Sequence, residues 1–155
     1  MSSRLAGVSA LIVALLLDQL SKAVVTSNMS ALSEGIEVFP GFNLVFLRND
    51  GVTFGLFSQI PWWALSLVAL AISSWVVLMM WRATQRAESI ACGLILGGAL
   101  GNVIDRMRFG AATDFLDFYF GTYHWPAFNF ADVAVVMGAF LLVLLPLVSR
   151  RRRMS

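Results

Sequence analysis

Charge is scarce in this sequence. Only 13% of its 155 residues are Asp, Glu, Lys or Arg, against 59% that are hydrophobic. A water-soluble domain of that length needs far more charge to cover its surface, so the composition excludes an ordinary soluble protein. Thiol and imidazole groups are scarcer still. The one cysteine, Cys92, lies in an apolar run, which excludes a disulfide framework and a cysteine cluster for metal. The one histidine, His124, would have to carry any histidine triad or zinc site alone, which argues against both.

What the sequence does contain is hydrophobic length. Mean hydropathy is +0.80, and four apolar segments approach the roughly 20 residues that cross a bilayer as helix. Predicted spans cover about residues 5–25, 61–81, 89–107 and 130–148, within a single integral-membrane domain over 1–155. In the first span the purely apolar part, Leu5 to Leu17, is too short to cross, so the helix must carry Asp18 and Lys22 into or near the membrane. A cleaved signal peptide is the competing reading, given Arg4 and the short apolar core. No small-x-small cleavage site follows, however, and Asp18 and Lys22 occupy the place of a cleavage region. Trp62, Trp63 and Trp81 fall at the ends of the second span, as interfacial anchors do.

Arginines orient the chain. Arg4, then Arg82 and Arg86, then Arg150 to Arg153 all fall on one side if there are four spans, with both termini and the middle loop in the cytoplasm. A basic tail can also mean nucleic acid, but beside a long apolar run it marks the cytoplasmic end of a span. The segments at about 26–60 and 108–129 then face outward, carrying Glu34, Glu37, Asp50, Asp114 and Asp117. The first reads as a small sheet: Ile36 to Phe39, Phe42 to Leu47 and Val52 to Phe57, separated by Pro40-Gly41 and Asp50-Gly51. Such apolar strands must rest on the bilayer or on the helices. The second is dense in aromatics, from Phe115 to Trp125, which favour the headgroup level.

Ionisable groups in or beside spans are costly and are functional candidates by default. Asp18 and Lys22 lie four apart on one helix face, where a structural ion pair is the plain reading. Gly93, Gly97 and Gly101 form a small-residue stripe for close helix packing. Beyond it, Asn102, Asp105 and Arg106 share a face, either as an Asp–Arg pair closing the helix or as a polar ledge for a bound backbone. Asn129 and Asp132 fit an N-cap and its capping-box carboxylate at the start of the fourth span. Topology also brings Asp114 and Asp132 to one outer interface. Two carboxylates at a half-dry interface can share a proton, so that one activates water while the other polarises a carbonyl.

Blocks at these residues resemble the bacterial lipoprotein signal peptidase, or signal peptidase II, family. They are Asp18-Gln19-Leu20-Ser21-Lys22, Arg48-Asn49-Asp50-Gly51-Val52-Thr53-Phe54-Gly55, Gly98 to Arg106, Gly110 to Phe115, and Phe128-Asn129-Phe130-Ala131-Asp132. They occur in family order from the first span to the last. The resemblance implies an all-α membrane fold of four helices with a small periplasmic β-cradle. It also implies an aspartic endopeptidase that cuts prolipoproteins just before a diacylglyceryl-modified cysteine. By resemblance Asp114 and Asp132 are catalytic. Asn49, Gly51, Asn102, Asp105, Arg106 and Asn129 line the substrate site, and Asp18 and Lys22 support it. No cofactor or metal is implied, and no nucleic acid. The expected setting is the inner membrane with the site at the periplasmic face, in contact with lipid, and a monomer is the default. The chain departs from the family at Val52-Thr53, where two small residues are common, and at Ala112, where valine is frequent.

Two other functions remain compatible with the residues alone. A lipid phosphotransferase would gather Asp105, Asp114, Asp117 and Asp132 around magnesium. A transporter or adaptor would use Asp18 and Lys22 as a relay.

Overall fold

A computed structural model describes residues 2–51 and 60–151, with side chains to residue 147. Four helices have the length and apolarity to cross a membrane: α1 (Ser3–Ser27), α3 (Trp62–Arg82), α4 (Arg86–Phe109) and α5 (Phe130–Arg151). A single turn, α2 (Met29–Leu32), follows α1. Four antiparallel strands complete the fold: β1 (Ile36–Phe39), β2 (Phe42–Asn49), β3 (Ala112–Phe120) and β4 (Tyr123–His124), in the order β1-β2-β3-β4. The predicted spans agree with the helices to within a few residues. The expected strand at Val52 to Phe57 lies outside the described residues.

The glycine stripe decides how the helices meet. A β-carbon on Gly93 or Gly97 would run into the backbone oxygens of Gly7 and Leu11 on α1, and one on Gly98 into that of Ala131 on α5. Only glycine allows backbones this close. The α4 helix is therefore the hub: 56% of its span is buried, against 17–22% for the other three. It packs on α1, α5 and α3, while α3 and α5 scarcely touch each other. Val76 and Met80 of α3 meet Cys92, Ile95 and Leu96 of α4 in one apolar cluster. Trp63 and Trp81 are more than half exposed at opposite ends of α3, as interfacial anchors require.

The sheet is assembled across sequence. β2 belongs to the first outer segment and β3 to the second, paired through Leu47 with Asp114, Arg48 with Thr113 and Asn49 with Ala112. The aromatic segment assigned above only to the headgroup level is thus largely β3 and β4. Phe115 packs inward with Val25 and Leu32, backed by Leu44, Phe46 and Leu116. The sheet therefore rests on the end of α1. The α4 helix stops at Gly110, whose φ of 73° closes the last turn through its N–H to the Arg106 carbonyl, and the chain enters β3 two residues later.

Candidate active site

Short connections bring the polar residues together. Asp114 is the third residue of β3, directly after the α4 turn, and Asp132 sits in the first turn of α5. Asn129 caps α5: the Asp132 N–H donates to Asn129 Oδ1 at 3.0 Å, and the Asn129 N–H donates to Asp132 Oδ2 at 3.2 Å. The predicted capping box forms. Its side chain does more than cap, because Asn129 Nδ2 also donates to Asp114 Oδ1 at 2.6 Å and to Asn102 Oδ1 at 3.1 Å. One fully buried asparagine therefore links both carboxylates.

Each carboxylate has a second amide donor. Asn49 Nδ2 donates to Asp114 Oδ2 at 2.7 Å, and Asn102 Nδ2 donates to Asp132 Oδ1 at 2.8 Å. The Asn49 oxygen is held in turn by the Gly51 N–H at 2.9 Å. Asp114 is 2% exposed. Burial pushes its pKa up from 3.8 to about 6; the Asn49 hydrogen bond opposes the rise and the charge of Asp132 adds to it. Asp114 thus has the proton affinity of an acid that works near neutral pH.

Asp18 and Lys22 form the expected ion pair, at 2.9 Å, on the buried side of α1. Lys22 Nζ goes further, donating to Asn102 Oδ1 at 2.9 Å and lying 3.5 Å from Asp105 Oδ2. The other Asp18 oxygen accepts the Ala131 N–H at 2.9 Å, fixing the start of α5. The pair thus joins α1 to the start of α5 and to the amide that holds Asp132.

The expected Asp105–Arg106 pair is not formed, because the two side chains diverge. Asp105 is buried against α1 and β3, accepting from the Thr113 N–H at 2.8 Å and pairing with Lys22. Arg106 turns the other way. It lines a cavity of about 310 Å³ with Asn49, Gly51, Leu65, Trp125 and Asp132, and its buried Nε has no hydrogen-bond partner among the described residues. Buried donors are nearly always satisfied, so this nitrogen stands out beside the cavity. Asp114 lies behind that cavity rather than on its wall. Asp117, a proposed metal ligand above, accepts from Asn43 Nδ2 at 3.0 Å and lies 2.9 Å from His124 Nδ1. Of the four carboxylates suggested for magnesium, Asp105 and Asp117 thus have partners of their own, whereas Asp114 and Asp132 share Asn129.

Sequence reasoning missed Gln19, whose Nε2 bridges Asp18 Oδ2 and the Gly101 carbonyl at 3.1 and 3.2 Å. It also missed Arg48, which donates to Thr113 Oγ1 at 2.6 Å and stacks 3.8 Å over the Phe109 ring. Both stand in the quoted blocks, but only the fold reveals their partners. Leu65 carried no local signal, and Trp125 read only as one of the interfacial aromatics.

Membrane-length helices, a small sheet over one end and acidic side chains held by amides beneath it make up the build of a membrane-embedded hydrolase. A family model described as signal peptidase (SPase) II matches residues 10–148. The chain is 44% identical over 135 residues to the lipoprotein signal peptidase of Nitratidesulfovibrio vulgaris (strain DP4), covering 83% of this chain and 81% of the relative. It is 42% identical over 137 residues to that of Pasteurella multocida (strain Pm70), covering 85% and 82%. In structure it is similar to a bacterial membrane enzyme solved by the in meso method at 2.3 Å resolution, with a TM-score of 0.81, 26% identity and coverage of 93% and 88%. The chain belongs to the signal peptidase II family, whose members are membrane aspartic peptidases.

Proposed function

We propose that this peptidase removes signal peptides from diacylglyceryl-modified prolipoproteins, cutting just before the lipidated cysteine, with Asp114 and Asp132 as its catalytic pair. The observation that carries the assignment is the double link through Asn129, which couples a buried carboxyl of raised pKa to a carboxylate on a cavity wall. In the proposed reaction Asp132 takes a proton from water and the resulting hydroxide attacks the scissile carbonyl carbon. Asp114 gives its proton to the carbonyl oxygen, forming a tetrahedral diol. Collapse breaks the C–N bond; the leaving amine takes the proton from Asp132, and a diol hydroxyl returns one to Asp114. Asp114 must reach the carbonyl past the amides of Asn49 and Asn129, which position it.

Asn49, Gly51 and Arg106 line the cavity and are placed to bind the substrate backbone, while Asn102 and Asn129 hold the carboxylates. Asp105, although expected in the substrate site, is assigned with Asp18 and Lys22 to supporting that network. The acyl chains concentrate the substrate in the bilayer by about 0.8 kcal/mol per CH₂ buried. Arginine placement favours an orientation with the sheet and dyad on the periplasmic face and both termini cytoplasmic; the setting is the bacterial inner membrane, and a monomer is the default. The test is cleavage of a diacylglyceryl-modified precursor and its unlipidated counterpart in detergent, with chelator present. Cleavage of the lipidated form alone, lost in folded Asp114→Asn and Asp132→Asn, is the expected result. No cleavage by folded wild type, or full activity in either variant, would overturn the proposal.

A further inference from the structure

The α3–α5 gap has two ends, and only one holds the proposed dyad. At the arginine-bearing end a second cavity, of about 350 Å³, is lined by Met79 of α3, Glu88 of α4, Leu142, Leu145 and Pro146 of α5, and Gln85. The same three helices contribute to both cavities, although Asn49, Gly51 and residues 125–128, outside these helices, make most of the first. Glu88 and Arg106 are about 18 residues apart, which is roughly five whole turns and 27 Å of α4, so they point the same way. Leu65 and Met79 on α3 are about four turns apart, as are Asp132 and Pro146 on α5. Because α3 and α5 scarcely touch, the two cavities mark the ends of one seam along α4, where Met79 and Leu142 also pack against the buried Ile95.

Charge distinguishes this end of the fold. Glu88 is the one acidic residue at the arginine-bearing end; the other eight of the nine lie in the core of α1 or toward the sheet. It is half-buried and makes no hydrogen bond or ion pair among the described residues. Arg82 and Arg86 at the same end are exposed, away from the cavity wall. A signal peptide is built to match: a cationic start, then about 7–15 apolar residues, then a short segment before the cut. As helix the apolar part covers roughly 11–22 Å, and a few extended residues at about 3.3 Å each bring its cationic end some 27 Å from the cut.

We propose that the α3–α5 seam is a docking channel for the signal-peptide helix and that Glu88 receives its cationic N-terminal region. This rests on the peptidase reading and adds a second recognition point, a membrane thickness away from the chemistry. The test compares full-length wild type with Glu88→Gln on two lipidated precursors, one with lysines at its start and one with those lysines changed to glutamine. The expected result is a roughly two- to fivefold rise in KM for the cationic precursor alone, with kcat unchanged. Glu88→Lys should be rescued by a precursor carrying glutamates there. An equal effect on both precursors, or none, overturns the proposal. A photoreactive residue at Leu142, inside the seam, or at Val143, which is 65% exposed on the lipid side, reads docking without cleavage. Capture at Leu142 only, weakened by Glu88→Lys, supports the channel; equal capture at both sites refutes it. Charge-dependent capture without any cleavage would sink the peptidase reading instead.

Discussion

The raised proton affinity of Asp114 makes folding itself pH-dependent. Its pKa moves from 3.8 unfolded to about 6 folded, so the folded state binds the proton more tightly. Each unit corresponds to about 1.4 kcal/mol, and a rise of about two units gives roughly 3 kcal/mol. That contribution is fully present below pH 3.8 and is lost as pH rises through about 6. Asp114→Asn cannot ionise and should abolish this slope. The substitution has its own cost, because Asn49 and Asn129 each donate to a different Asp114 oxygen. An asparagine offers one oxygen, so one amide is left facing another donor, at about 1–3 kcal/mol. The variant should therefore be less stable than wild type at pH 4, and equal to it or slightly more stable at pH 8. Unfolding in detergent, followed by tryptophan fluorescence across that range, measures the change. Other titrating groups largely cancel in the difference, leaving a shift near 3 kcal/mol between the two pH extremes. Parallel stability curves would refute the assignment of a raised pKa to Asp114.

The same titration should appear in kinetics: kcat/KM of wild type should decline as pH rises through about 6, and a rate flat through that region would mean that Asp114 is not the acid. Asn129→Ala should lower kcat on the order of a hundredfold with KM little changed, since it releases both carboxylates; a loss under about twofold would show that the bridge is dispensable. Lys22→Met should leave Asp18 and Asp105 buried without their cation, costing about 3–5 kcal/mol in detergent melting; an unshifted melt would refute the paired arrangement. Gly97→Leu should separate α1 from α4 and abolish folded yield, whereas Gly121→Ala, with open space around it and a φ of 59°, should cost only about 1 kcal/mol.

Local pattern along the chain was enough for the membrane helices and for the pairing of Asp18 with Lys22. Hydrophobic length, interfacial tryptophans and i,i+4 spacing act within a single segment. It also determined the capping box at Asn129 and Asp132, a contact between neighbours in the chain, and the packing role of the glycine stripe. The ordered motif blocks carried the family. Tertiary structure decided everything that joins distant segments. β3 pairs with β2 across more than sixty residues, which is why its aromatics read only as an interfacial belt. Asp105 turned from Arg106 to Lys22 and Thr113, because the alternatives were equal on one helix and only the approach of α1 and β3 distinguished them. Asn129 became a bridge between carboxylates because the α4 turn places Asp114 beside it. The seam along α4 exists because α3 and α5 both pack on that helix but scarcely on each other, a fact of helix placement that no local pattern encodes.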